Sequence, residues 1–410
     1  MSSVFLHIGE PKTGTTFLQQ VMWRNRAALA AQGVVLPGHH PQDHFRASQD
    51  LRGIEKLASD PAGSWTGEWD ILAQQAQYAP RAAVISHELF SAADPAQAER
   101  AVRSLHPAEV HVTATVRDMA SLLPAEWQET VKHRSTRSWP DWLGDVIDRE
   151  SVSADRRQWW FWRVHDTLAI LDIWSRYVPA ERIHVITTPP QGSGTGVLWQ
   201  RFAGLIGVDP GRVDLSVARA NTSLGLPEIE FLRRLNQALP ADVPDWFYMW
   251  TVKEGIAHRA LAQRPREGRL VLPADRDAWA KEQAETLITG LAGSGYDVIG
   301  DVDELRPRPS AAAAGPDDQP DGQLLDAAVT AAAALVANQY RKEHPAARPR
   351  AGRGARGLAS RIESAAAASP RLKRTVRELS SRSPAARRLR IMAWQAMERT
   401  RRRGQDRGRS

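Results

Sequence analysis

The 410-residue sequence contains no cysteine. A disulfide framework, a thiolate zinc site and a cysteine nucleophile are therefore excluded, and the chain suits a reducing, cytoplasmic setting. Phenylalanine and tyrosine are scarce, at 8 and 5 residues, so the 15 tryptophans must supply most of the aromatic packing. No run approaches the ~20 consecutive apolar residues that a membrane helix needs. The opening MSSVFLHIGE has no basic segment and meets an acid at Glu10, so it does not read as a signal peptide. What is present is ordinary for a chain with a real core: 42% hydrophobic and 25% charged residues.

The net charge of +7 hides a division. Residues 346–410 hold 19 Lys/Arg against 4 Asp/Glu, whereas residues 1–345 hold 35 against 43. A mildly acidic body with a basic tail is not built to grip nucleic acid specifically, because phosphate neutralisation needs clustered cations on the binding face. The tail suits an anionic membrane surface better, with Trp394, Met392 and Met397 on an expected amphipathic helix over 383–403. Apart from that helix, its low aromatic content predicts disorder.

Residues 1–305 alternate between short apolar runs and helical stretches. Val4–Ile8, Ala82–Ile85, Val110–Val116 and Ile183–Thr187 read as strands. Helices are expected from Thr16 to about Gln32, from Met119 to Lys132 with Pro124 kinking or restarting it, and from Asp155 to Val178. This alternation predicts an α/β domain: a parallel β-sheet flanked by helices. Residues 306–345 read as a Pro/Ala-rich linker with a lone helix at Leu324–Tyr340, followed by the basic tail.

The most informative stretch is VFLHIGEPKTGTTF, residues 4–17, in which a strand enters a glycine turn and then a helix. Such a turn presents backbone N–H groups and a helix N-terminus to an anion. Gly9 and Gly14 have the spacing of a nucleotide-triphosphatase phosphate loop, but Thr15 occupies the place of that loop's lysine, and the lysine is Lys12. The string Pro11-Lys12-Thr13-Gly14-Thr15-Thr16 resembles the 5′-phosphosulfate loop of sulfotransferases that use 3′-phosphoadenylyl sulfate (PAPS). The resemblance spans about residues 1–300 and extends to Ile85–Leu89, Trp127–Glu129 and Asn221–Gly225. It implies a P-loop-like sulfotransferase fold and PAPS as co-substrate, with 3′-phosphoadenosine 5′-phosphate (PAP) as product. It also implies that the six loop residues hold the 5′ end. In that family an arginine ending a buried strand and a serine about eight residues later bind the 3′-phosphate. Arg117 matches the arginine. Ala125 replaces the serine, and Ser121, one helical turn after Arg117, is the substitute hydroxyl.

Sulfuryl transfer needs charge stabilisation at the leaving phosphate, a task suited to Lys12, and a base for the acceptor hydroxyl. His87 and Glu88 both follow the strand Ala82–Ile85, and the family uses either residue type. The reading favours Glu88 over His87 and leaves both open. The sulfuryl group carries less charge than a phosphoryl group, so no metal is expected. The expected acceptor is a small molecule, glycan or lipid hydroxyl, or an amine. Competing readings are a degenerate nucleotide- or partner-binding protein, supported by Ala125, and a P-loop kinase. Other features read as structural: Gly192–Gly196 as a helix entry, His39, His40 and His44 as loop residues near the acceptor cleft, and His165 as a hydrogen-bonded core histidine. Trp159, Trp160 and Trp162 read mostly as core, with stacking on a sugar as the alternative, and Lys253 and Arg264–Arg269 as surface charge, with closure over the nucleotide as the alternative.

Overall fold

The computed structural model describes residues 2–54, 65–148, 156–190, 192–194, 196–216, 223–308 and 315–343. The chain divides into two units, residues 1–54 with 68–339 and residues 55–67 with 340–410. The sheet and the sites below belong to the first unit. The basic tail and its expected helix lie outside the described residues.

Strand β1 (Ser3–Gly9) passes through residues 10–14 into α1 (Thr15–Arg24) and the short α2 (Arg26–Ala30). Then come β2 (Val34–Val35), α3 (Pro41–Leu51), α4 (Glu68–Gln77), β3 (Ala82–Ser86), α5 (Pro95–Ser104) and β4 (Glu109–Val116). After β4 the chain forms α6 (Met119–Lys132), α7 (Trp139–Ile147), α8 (Arg156–His165), α9 (Thr167–Ser175) and β5 (Ile183–Thr187). Helices α10 (Gly196–Leu205), α11 (Leu226–Ala238) and α12 (Asp245–Tyr248) follow, the last running on as a π-helix over Met249–His258. Helix α13 (Asp277–Ser294), β6 (Asp297–Ile299) and α14 (Asp321–Glu343) complete the described chain.

The six strands are all parallel, in the order β2-β3-β1-β4-β5-β6. Helices flank the sheet, so the α/β expectation holds. Along β1 the residues alternate between two cores. Val4, Leu6 and Ile8 join Trp69, Phe90 and Trp174 on one face. Phe5 joins Met22, Trp199 and Phe202 on the other. A third cluster, built on Trp127, Trp139, Trp142 and Phe161, ties α6, α7 and α11 together.

Several sequence expectations change in detail. The helical stretch at 155–178 is two helices, because Asp166 caps the second by accepting from the Ala169 N–H at 3.3 Å. Thr16–Gln32 likewise divides at Asn25. Helix α6 runs through Pro124 without restarting. The helix expected at Leu324–Tyr340 is not a lone one: Ala327 and Ala331 are buried in the third cluster. His44 is not a loop residue but sits buried in α3, and His40 caps that helix, with Pro41 in its first turn. No described helix is long and apolar enough to cross a membrane.

His44 accepts from the Ser86 N–H through Nδ1 at 3.1 Å and therefore donates through Nε2 to Pro37 O at 2.9 Å. That bonding needs the neutral ring, and burial holds its pKa down at about 4. Burial likewise lowers His7, on β1, to about 4. The unfolded chain would bind protons at both rings near pH 6.5, while the folded protein takes them up only near pH 4. Stability should therefore fall as pH drops from 6.5 toward 4, each ring contributing up to about 1.4 kcal/mol per pH unit. Denaturant titrations over that range should give a shallower slope for His44→Gln than for the native chain; equal slopes would show that His44 does not titrate on unfolding.

Candidate functional site

Because the strands are parallel, β1, β3, β4 and β5 deliver their last residues to one edge of the sheet. β1 lies between β3 and β4, where the order reverses, and such reversal points open a crevice at the strand ends. The sheet thus brings together the loop 10–14 after β1, His87 and Glu88 after β3, Arg117 after β4 and Thr188 after β5.

The loop is held from beneath and from both sides. Gly9 and Gly14 have φ of 96° and 92°, and Lys12 between them has φ of 61°, so three of six residues turn left-handed. For the lysine this is a strained conformation that its surroundings must hold. The Thr13 hydroxyl donates to Glu10 O at 2.6 Å, which leaves Thr115 as donor in the 2.6 Å contact between the two threonine hydroxyls. Thr115 can then accept from His7 Nε2 at 3.4 Å, and the other His7 nitrogen accepts from the Ser86 hydroxyl at 2.8 Å. One buried chain of hydrogen bonds, with every donor assigned, thus runs beneath the ends of β1, β3 and β4. From the sides, Thr188 donates to Thr13 O at 2.9 Å and Arg117 Nη1 to Lys12 O at 3.3 Å. Thr13 therefore offers a ligand its backbone rather than its hydroxyl. Helix α1 begins at Gly14 with no side-chain cap, so its first-turn amides have no partner within the helix.

Beside the loop lies a cavity of about 940 Å³ lined by Gly14, Arg117, Ser121, Ala125, Arg266 and Arg269, among others. Arg117 and Ser121 thus line one cavity with Gly14. Arg266 and Arg269, read as surface charge, are part of it. Gly192 and Ser223 also line it, whereas Asn221 lies outside the described residues. Burial lowers the Arg117 pKa, Asp118 opposes this, and the nearby charge of Arg269 adds to it. Two mutually repelling guanidinium groups at one cavity have a geometry and charge that suit a phosphate.

Lys12 points toward α6. Its ammonium pairs with Glu129 at 2.5 Å. Burial opposes the charge on Lys12, but Glu129, Glu126 and Glu88 outweigh it and its pKa is raised. Glu129 is shared: Lys253 donates to it at 2.7 Å and also to His133 Nε2 at 2.5 Å. Burial would raise the Glu129 pKa, yet its neighbours, His133, Lys12, Lys253 and Lys132, hold it well below the usual carboxylate range.

Glu88 accepts from Gln19 at 3.1 Å. Burial raises its pKa, but His87, its own backbone, Gln19 and Lys12 prevail and lower it. His87 Nδ1 accepts from the Leu89 N–H and caps the short 3-10 turn Glu88–Ala92. Glu88 does not cap α5; Asp94 does. The approach between the two loops is tight, since a Cβ on Gly9 would stand 2.7 Å from Glu88 Cα.

Sequence reasoning missed what lies behind the loop. His165 sits between Glu10 and Glu126, with Nδ1 and Nε2 at 3.6 and 3.7 Å from their carboxylates, ion-pair distances rather than hydrogen bonds. Glu10 also accepts from Thr167 at 2.5 Å. Burial would lower the His165 pKa, but the two carboxylates raise it to about 9. No local pattern announces this triad, because its members come from three elements distant in sequence.

No family model and no curated protein matches this chain. Among solved structures, a crystal structure of a sulfotransferase from Alicyclobacillus acidocaldarius aligns over 57% of this chain and 91% of its own, at 14% identity and a TM-score of 0.33. A likeness at that score decides nothing about this chain, so the functional reading rests on the site.

The site's geometry makes Gly9 a sensitive position. Gly9→Ala forces a side chain against Glu88 at a left-handed φ and should destabilise the fold by about 1–3 kcal/mol. Chemical denaturation measures this, and a loss under about 0.5 kcal/mol would show that the two loops separate easily.

Proposed function

We propose that this protein is a sulfotransferase that moves a sulfuryl group from PAPS to an acceptor hydroxyl. The observation that carries the reading is one cavity lined by Gly14, at the uncapped start of α1, and by Arg117 and Arg269, with Lys12 in the adjoining loop. Their joint presence fits a nucleotide bearing phosphates at both its 5′ and 3′ positions. Residues 12–16, entered through Pro11, would hold the 5′ end through backbone N–H groups, with the Lys12 side chain beside it. Arg117, with Ser121 in the next helical turn, would take the 3′-phosphate. Ala125 leaves a gap where a hydroxyl would stand, and Arg266 and Arg269, lining the same cavity, supply positive charge there.

The co-substrate supplies an activated sulfur joined to phosphate through a bridging oxygen. Transfer breaks that S–O bond and forms a new one to the acceptor oxygen. Lys12 would leave Glu129 to stabilise charge on the departing phosphate. Glu88 would receive the acceptor's proton: it is ionised, lies within the field of Lys12, and follows the strand beside β1. His87 is the poorer base because one ring nitrogen is committed to the cap and burial lowers its pKa despite Glu88. Arg52 adds to that lowering.

Two sets of measurements test this. PAP without magnesium should raise the melting temperature, because a ligand that binds only the folded state stabilises it. Arg117→Ala should weaken PAP strongly and adenosine 5′-phosphate little. Stabilisation by ATP and magnesium with none by PAP would favour the kinase reading, and equal effects of Arg117→Ala on both ligands would remove it from the 3′-phosphate. In turnover assays with PAPS, Glu88→Gln should lose ~10²-fold or more while PAP affinity holds. A near-normal rate in Glu88→Gln with a large loss in His87→Gln would move the proton to His87.

A further inference from the structure

Helix α14 is apolar on two opposite faces. Leu324, Ala327 and Ala331 are buried, with the two alanines in the third cluster. On the other side Leu325, Val329, Val336 and Tyr340 are 63%, 60%, 70% and 61% exposed. Among the described residues nine large apolar side chains are exposed, and five of them are on this one helix. A helix that is apolar on both sides is at home where both sides are covered, and an apolar patch of this length marks a docking surface.

The exposed stripe reads the same in both directions. Leu325, Val329, Ala332, Ala333, Val336 and Tyr340 fall within an arc of roughly 100° and span about 22 Å of helix. Their sizes run large, medium, small, small, medium, large about the midpoint between Ala332 and Ala333. A two-fold axis through that midpoint sets Leu325 of one helix opposite Tyr340 of a second, and Val329 opposite Val336. The alanines meet at the crossing, where short side chains let the helix axes approach closely. The charges agree with this pairing. Asp326 and Arg341 lie on the same flank of the stripe, and antiparallel pairing brings them nearly level across the contact. Glu343 of one copy reaches the first turn of the second helix, where the helix dipole favours a carboxylate. An anionic membrane suits this face less, since Asp321, Asp326 and Glu343 border it.

We propose that the exposed face of α14 binds a second copy of this chain, through an antiparallel, two-fold helix pair centred between Ala332 and Ala333. The pairing does not depend on the chemistry at the strand ends, but it connects to the cavity there. Arg264 Nη1 donates to Asp326 O at 3.2 Å and to the Thr330 hydroxyl at 3.0 Å. Its Nε donates to Glu228 at 2.7 Å. Arg264 stands two residues before Arg266, which lines the cavity. A helix held by a second copy therefore anchors one end of the segment that carries Arg266 and Arg269.

Sedimentation of the full chain should show a reversible dimer of twice 45.4 kDa forming across ~1–100 µM, as suits roughly 1,000 Å² of buried surface. Val336→Asp changes an exposed position, so it should give a folded monomer with unchanged circular dichroism. The chain has no cysteine, so an introduced thiol reports its own position alone. Under mild oxidation Ala332→Cys should give a covalent dimer, because the axis sets that position beside its own copy. Val329→Cys and Val336→Cys together in one chain should do the same. Val336→Cys alone, and Tyr78→Cys at an exposed site outside α14, should not. A monomer at every concentration would overturn the proposal. So would a dimer indifferent to Val336→Asp, or cross-linking as strong in Val336→Cys alone as in Ala332→Cys, which would mean parallel pairing. A monomer that binds anionic vesicles, and loses them in Val336→Asp, would assign the face to lipid instead.

Discussion

The hydrogen-bonded chain from Thr13 through Thr115 and His7 to Ser86 holds the ends of three neighbouring strands in register with one another. Every group in it is buried, and each donor has an assigned acceptor. Breaking one link would strand a polar group in the core, which costs more than a hydrogen bond contributes when made. The strained backbone at Lys12 depends on this foundation, because Thr13 cannot shift without losing both Glu10 O and Thr115. The position of Glu88 depends on it as well, through Ser86 two residues earlier and Gly9 pressed against its backbone.

Above that foundation the electrostatics form an alternating series. Glu10, His165, Glu126, Lys12, Glu129 and Lys253 follow one another with opposite charges as near neighbours. Such a series favours the charged forms of His165, Glu126, Lys12 and Glu129 despite burial, since each has an opposite charge on either side. It also makes Lys12 movable. Its pairing with Glu129 is strong, but Glu129 retains Lys253 and Lys132 when Lys12 departs. A lysine that can leave its partner without stranding a buried carboxylate is suited to act at a ligand.

Much of this was legible in the chain itself. Val4–Ile8, Ala82–Ile85, Val110–Val116 and Ile183–Thr187 announced their strands because buried parallel strands are runs of apolar and β-branched residues. The edge strands β2 and β6, of two and three residues, were too short to give such a signal. The turn between β1 and α1 was legible because a tight strand-to-helix turn needs glycines where φ is positive, as at Gly9 and Gly14. Arg117 was legible because it ends a strand. That Arg266 and Arg269 line the cavity, and that Glu129 and Lys132 stand beside Lys12, was not legible, since these positions arise from helices and loops folding over the strand ends, which no spacing encodes. His165 was read as core and is buried, yet its two glutamate partners, 155 residues before it and 39 before it, could not be inferred. The division of 155–178 at Asp166 shows a cap overriding an apparently continuous periodicity.

The central claim is that one cavity binds a nucleotide by phosphates at both ends, and a crystal structure of the protein with PAP tests it most directly. The account predicts the 5′-phosphate on the amides of residues 12–16 near Lys12, and the 3′-phosphate on Arg117 with Arg266 or Arg269 in reach. A nucleotide bound with its 3′-phosphate away from Arg117, or bound elsewhere on the molecule with the cavity vacant, would contradict it.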